Sequence, residues 1–295
     1  MERTLGNRFT LAFRKYSVAY LFILGPVLLT VVFLFIPMVS SFIFSLTEWS
    51  GIQPPKFIGL QNYEKLLFHD RKFYQALINT TIFVFLGQGI GPILGLLSAL
   101  ALNQKIKFRA GFRVAYFLPV MTSLVVVATV WKMLYNNDGL VNYVFEKIGL
   151  PTTRWLLNTH TALPAIIVTS VWQGFGFETV IFLAALQSIP KELYEAAMID
   201  GANAWNCFWH VTLPTLKPVI VMVYIIGVIG SYQVFDQIFV MTGGGPLNSS
   251  QSIVGYLYNN FTYMKFGYAS AVAYVLFALL VLFSYIQMRF FGREE

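Results

Sequence analysis

Charge is scarce in this sequence. Asp, Glu, Lys and Arg together make up 11% of 295 residues, where a globular domain carries roughly a quarter, so a soluble fold with a charged surface is excluded. Cysteine occurs once, at Cys207, and histidine three times, at His69, His160 and His210. An intramolecular disulfide is therefore impossible, and no His pair has the i+3 or i+4 spacing of a helical metal site. There is no Gly-x-x-x-x-Gly-Lys-Ser/Thr run, and the cluster Gly243-Gly244-Gly245-Pro246 lacks the lysine that would make it a phosphate loop. No nucleophile–base or metal cluster, soluble domain, low-complexity tract or strong internal repeat is visible. The formal charge of +7 is scattered through short loops without a basic stripe, which argues against a nucleic-acid partner.

What the chain has in abundance is apolar length, with 57% hydrophobic and 17% aromatic residues. Six apolar segments, at about 18–46, 73–103, 112–135, 161–187, 215–241 and 266–289, are each long enough to cross ~30 Å of hydrocarbon at about 1.5 Å per residue. These imply an all-α membrane protein of six transmembrane helices, with residues 1–295 as one transmembrane domain. The first segment follows Arg14-Lys15 but outruns a signal-peptide core and lacks a small-residue cleavage site, so it is expected to stay as a span.

Cations set the orientation. Arg3, Arg8, Arg14, Lys15, Lys105, Lys107, Arg109, Arg113, Arg289 and Arg293 fall in the N-terminal tail, the link between spans two and three, and the C-terminal tail, which places both termini in the cytoplasm. On the other side Lys56, Lys65, Arg71, Lys72, Lys147 and Arg154 alternate with Glu48, Glu64, Asp70, Asp138 and Glu146. Prolines 26, 37, 92, 119 and 164 lie in or near spans and predict bent helices. Gly87, Gly91 and Gly95 recur every four residues, giving one face of the second span a backbone that another helix can approach.

Between spans four and five, residues 188–214 form a cytoplasmic loop by the alternation of sides. Ser188 is a candidate N-cap, Pro190 suits a first turn, and Glu192 and Glu195 favour the positive helix end. A short helix is expected to about Asp200, with Leu193, Ala196, Ala197 and Asp200 on one face and Gly201 ending it. A second short helix around Asn203–His210 is expected before a break at Leu213-Pro214. On physical grounds this loop fits a helix on the membrane surface as well as a docking handle for another protein.

The run Glu195-Ala196-Ala197-Met198-Ile199-Asp200-Gly201 followed by Leu213-Pro214 resembles the EAA loop of permease subunits of bacterial binding-protein-dependent ABC carbohydrate importers. Phe57-Ile58-Gly59-Leu60-Gln61-Asn62-Tyr63, Ala76-Leu77-Ile78-Asn79-Thr80, Ala184-Ala185-Leu186-Gln187-Ser188-Ile189-Pro190 and Phe235-Asp236 with Thr242-Gly243-Gly244-Gly245-Pro246 are similar to the same family. Together these motifs extend the likeness over about residues 20–289. The resemblance implies the type I ABC importer permease fold, a location in the bacterial plasma (inner) membrane, and alternating access to a shared pore. It also implies that Glu195, Ala196, Ala197, Asp200, Gly201, Leu213 and Pro214 couple to a separate ATPase subunit. The partners implied are a second permease, the ATPase subunits, an external solute-binding protein, a carbohydrate and membrane lipid. No cofactor is expected on this chain, which is not itself an enzyme; ATP and magnesium would sit on the ATPase. Lacking the extra N-terminal helices and large external insertion of the maltose system's bigger permease, the chain looks more like shorter oligosaccharide or glycerol-phosphate permeases.

Glu178 and Asp236 are acids within spans, where a central charge costs at least roughly 2.5–3.5 kcal/mol, so each should face protein or water. With Gln173, Tyr232, Gln233 and Gln237 they are the candidate substrate pathway; for Asp236, structural pairing stands equally open. Trp172 and Phe235 add aromatic faces suited to sugar C–H groups. The rival reading is a self-sufficient ion-coupled secondary transporter, which would more often show two related halves.

Overall fold

The computed structural model describes residue 16, residues 19–104 and residues 107–291. Of the orienting cations, Arg3, Arg8, Arg14, Lys15, Lys105 and Arg293 lie outside them. The elements are α1 (Ala19–Ser45), strands β1 (Thr47–Glu48) and β2 (Lys56–Phe57), α2 (Gln61–Glu64), α3 (Arg71–Asn103), α4 (Arg109–Met121), α5 (Leu124–Leu134), α6 (Leu140–Lys147), α7 (Ala162–Ser188), α8 (Lys191–Ile199), α9 (Ala204–Tyr232), α10 (Asp236–Met241), α11 (Ile253–Thr262) and α12 (Phe266–Phe291). Five of them, α1, α3, α7, α9 and α12, are long and apolar enough to cross a membrane, and α4 with α5 forms a sixth, bent pair.

The described residues divide into two compact units, one up to Lys65 together with Asn260–Tyr274, the other Leu66–Asn259 with the residues from Val275 on. In the first, α1 presents bare apolar side chains such as Leu21, Phe22 and Phe33, as a helix surrounded by lipid or by another chain would. Its end is locked by Asn62, whose Nδ2 donates to Ser45 O and Thr47 O, both at 2.9 Å. The Tyr63 hydroxyl meets Ser45 Oγ at 2.7 Å. The Phe57–Tyr63 motif thus carries a structural clasp beside the antiparallel pair β1–β2, in which Thr47 faces Phe57 and Glu48 faces Lys56.

The second unit is built around α7. Asp70 caps α3 by accepting from the backbone N–H groups of Lys72 and Phe73 at 3.0 and 3.1 Å, which satisfies two donors of its first turn. Gly91 and Gly95 of α3 lie against Glu178 of α7; a Cβ on Gly95 would come within 2.7 Å of Glu178 Cβ. The glycine spacing therefore permits close packing of α3 on α7, while a Cβ on Gly87 would meet nothing within 4 Å. At Gly176 the chain of α7 lies directly against the Tyr116 carbonyl of α4.

One element is bent as its proline predicts, though far more sharply than a kink, and two differ from the sequence expectations. The segment at 112–135 is not one rod: α4 and α5 meet at 99°, where Pro119 supplies no N–H and Thr122 and Ser123 take extended ψ values of 138° and 135°. The fifth span starts earlier and stops at Tyr232, because Gln233, Val234 and Phe235 leave the helix before α10 begins. Leu213-Pro214 is no break: α9 runs through it by widening to a π-turn at Phe208–Thr212, with Leu213 N–H reaching Phe208 O five residues back. The same device precedes Pro37, where Ile36 N–H reaches Val31 O. A proline ring collides with the carbonyl four residues earlier, and one residue of extra turn moves that carbonyl aside.

Candidate functional site

Both helix interruptions border one cavity of 470 Å³ in the second unit. Irregular backbone at membrane depth is tolerated where it lines a cavity or is covered by protein, because its N–H and C=O groups need partners that lipid cannot provide. Here Gln173 of α7 supplies one: its Nε2 donates to the Thr122 carbonyl freed at the α4–α5 bend, at 3.2 Å. Its Oε1 accepts from Gln237 Nε2 at 2.7 Å. Both glutamines are buried, so a ladder of amides ties the two broken spans to α7.

Five of the six pathway candidates, Gln173, Glu178, Gln233, Asp236 and Gln237, line this cavity. Tyr232 does not. Among the described residues it is the largest fully buried side chain, its ring 5.4 Å from that of Phe283 and its hydroxyl 3.4 Å from Thr81 Oγ1. One helical position before the break turns it into the core, whereas Gln233, just past it, faces the opening. Trp172 also lies elsewhere, edge-on to Trp131 at 5.4 Å, while Phe235 lines the cavity.

Gln88 of α3 was not singled out from the sequence. It lines the cavity with Ser231, to which its Nε2 donates at 2.8 Å. Its Oε1 and Glu178 Oε2 are shielded and have no hydrogen-bond partner among the described residues. A lone glutamine in a glycine-rich span was the available signal. Among the described residues, the ionisable ones that line it are Glu178 and Asp236.

The segment after α7 is exposed. Ser188 is not an N-cap: it ends α7, its hydroxyl donating to Ala185 O at 2.7 Å. Pro190 with ψ 135° caps α8 instead. Gly201, at φ +86°, closes α8 in a Schellman motif, with Gly201 N–H bonded to Met198 O at 3.1 Å and Ala202 N–H to Ala197 O at 2.9 Å. The inward face is Tyr194 and Ala197, and the Tyr194 hydroxyl meets Thr212 Oγ1 at 2.9 Å. Ala197 therefore departs from the outward face expected for it, while Glu195, Ala196 and Asp200 are exposed beside Ile199 at 86% and Trp205 at 67%. Leu213 and Pro214 lie within α9, below this surface helix in chain order.

A cavity bordered by interrupted apolar helices and lined in part by amides and carboxylates, with an exposed helix between two spans, fits a membrane permease. Residues 91–294 match the model of the binding-protein-dependent transport system inner membrane component. The chain is 38% identical to the probable ABC transporter permease protein YurN of Bacillus subtilis, over 94% of this chain and 98% of that one. It is 35% identical to the trehalose/maltose transport system permease protein MalF of Thermococcus litoralis, over 98% of each. A chain in the crystal structure of a bacterial ABC transporter involved in the import of the acidic polysaccharide alginate superposes with a TM-score of 0.83 at 25% identity, covering 96% of this chain and 99% of that one. The chain belongs to the family of inner-membrane components of binding-protein-dependent transport systems. It is a permease subunit of an ABC importer and not the ATPase, which sets aside the self-sufficient ion-coupled transporter. Chain length does not separate it from maltose permeases, since a relative named for trehalose and maltose is matched over 98% of its length.

Proposed function

We infer that this subunit forms half of the translocation pathway of an ATP-driven carbohydrate importer, with residues 188–214 as its cytoplasmic coupling loop and the Gln173–Gln237 cavity as its share of the route. The observation that carries this reading is continuity. The helix that brings Gln173 and Glu178 to the cavity, α7, leads through Ile189-Pro190 into exposed α8, and α9 returns to line the cavity with Gly227, Gly230 and Ser231. A push on α8 by an ATPase closing on ATP and magnesium thus reaches both walls of the cavity through rigid helices.

Orientation follows the same end of the bundle. With the Gln187 amide turned so that its oxygen faces them, Arg113 and Arg109 donate to it at 3.0 and 2.8 Å, three residues before Pro190. The cationic link and the coupling helix therefore share one side, as the positive-inside rule requires of a cytoplasmic face. Neutral amides, hydroxyls and unused acceptor oxygens suit a hydroxyl-rich solute, in keeping with relatives named for trehalose/maltose, arabinooligosaccharides and lactose. The external solute-binding protein, the second permease and the ATPase subunits complete the assembly, both termini being cytoplasmic in the plasma membrane.

The test is reconstitution of the assembled transporter and measurement of ATP hydrolysis with loaded binding protein. Carbohydrate delivered by that protein should stimulate hydrolysis and enter the vesicle. Uptake that persists without ATP, or an unaltered sugar profile after alanine replaces Gln173, Gln233 and Gln237 together, would sink the reading.

A further inference from the structure

On the far side of α7 from the polar cavity, a second groove of 410 Å³ runs between α4 and α7. Its walls are Val114 and Phe117 from α4 and Val180, Leu183 and Ala184 from α7, with Arg113 and Gln187 at one end. Among the described residues no carboxylate lines it. From Gly176 to Gln187 it extends along α7 for about 16 Å at 1.5 Å per residue, close to one leaflet of a ~30 Å hydrocarbon layer. An apolar trough of that length with cations at one end has the dimensions of an acyl chain below its headgroup.

The polar end is under-supplied with acceptors. With the Gln187 amide turned to face them, two guanidiniums, from Arg109 and Arg113, converge on its one neutral oxygen at 2.8 and 3.0 Å. Arg109 Nε is shielded and has no hydrogen-bond partner among the described residues. A guanidinium fork satisfied by a single amide still has donors for a phosphate, which accepts from two arginines at once. Basic pockets between membrane helices recognise anionic headgroups on this basis.

The geometry points to a bound anionic phospholipid, one acyl chain lying between α4 and α7 and its phosphate held by Arg109 and Arg113. A zwitterionic lipid brings an ammonium towards the same cations and is disfavoured. This requires only that α4 and α7 lie in the membrane; it does not depend on the cargo or on the coupling role of α8.

The assembled transporter, exchanged into micelles holding equal phosphatidylglycerol and phosphatidylcholine, is examined by native mass spectrometry. The unmodified complex retains phosphatidylglycerol selectively. Arg109→Gln with Arg113→Gln lowers that selectivity roughly thirtyfold, the equivalent of about 1 kcal/mol for each arginine. Ala184→Trp, which fills the groove and leaves both arginines in place, releases the lipid and keeps the proposal testable if the arginine variant does not assemble. Equal retention of the two lipids, or retention unchanged by Ala184→Trp, overturns the proposal. A photo-crosslinker at position 184 should capture lipid; capture of the second permease instead overturns it and assigns the groove to a subunit contact.

Discussion

Gln237 Nε2 donates to Gln173 Oε1 over 2.7 Å, joining the short helix α10 to the long span α7 where both border the polar cavity. Gln173 passes the connection on to the Thr122 carbonyl at 3.2 Å, so one amide chain holds three pieces of backbone. Replacing either glutamine by leucine strands a buried polar group on the other, a loss of about 1–3 kcal/mol. We expect Gln173→Leu and Gln237→Leu each to lower the midpoint of thermal inactivation of the assembled transporter. The double variant should lose less than the sum of the two, because the stranded partner is gone. Strict additivity would show that the contact contributes nothing.

Gly201 closes α8 at φ +86° with open space where a Cβ would stand, so substitutions there act through the backbone and not through collision. An L-residue in this region costs about 1–2 kcal/mol, and Asn, which tolerates it, costs less. Gly201→Val should uncouple ATP hydrolysis from uptake in a complex that still assembles, while Gly201→Asn keeps them coupled. Paired measurements of hydrolysis and uptake decide it, and equal behaviour of Val and Asn would count against a role for the Schellman geometry.

Gly176 lies against the Tyr116 carbonyl, whereas Gly87 has nothing within 4 Å of a built Cβ. A backbone carbonyl cannot rotate away as a side chain does, and overpacking costs about 1–3 kcal/mol. Gly176→Ala should reduce the yield of assembled transporter sharply and Gly87→Ala should leave it near the unmodified level, as read by size-exclusion chromatography. Comparable yields for the two would refute the close approach of α4 and α7.

Tyr232 is buried, and among the described residues its hydroxyl makes only the 3.4 Å contact to Thr81 besides ring packing on Phe283. Tyr232→Phe should therefore change stability by well under the roughly 1 kcal/mol of a well-formed hydrogen bond and leave uptake intact. A change in sugar selectivity in that variant would return Tyr232 to the pathway.

Asn79 holds the loop after α10 by donating to Asn248 O at 2.8 Å and Gln251 O at 3.2 Å, and next to it Thr80 Oγ1 accepts from Ile253 N–H at 3.0 Å. Asn79→Ala removes two bonds of about 1 kcal/mol each. Hydrogen exchange should quicken in residues 244–252 and stay unchanged in α8. Protection that is the same in both proteins would mean that the loop is held by other contacts.

The Asn79 clamp shows what a motif can hide. Ala76-Leu77-Ile78-Asn79-Thr80 was legible as a family signature, but its chemistry needed residues about 170 positions away. The end of the surface helix was legible, since Gly201 closes it by local backbone preference, but its start was not, because Ser188 belongs to the end of α7 and Pro190 takes the cap position. Nor was the inward side of that helix, because the Tyr194–Thr212 contact and the turn of Ala197 towards the core arise from packing on α9.

By itself the sequence determined that this is a membrane protein of apolar spans and that an amphipathic EAA segment stands between two spans. Those are sums over neighbouring residues, and hydropathy, helical period and turn chemistry are local. Only the tertiary structure decided that Tyr232 points into the core while Gln233 faces the cavity, that α4 and α5 turn through 99°, and that α9 passes Pro214 by a π-turn. Each of these depends on which carbonyl or amide finds a partner, and those partners, such as Gln173 and Gln237, 64 positions apart, meet only when the helices pack.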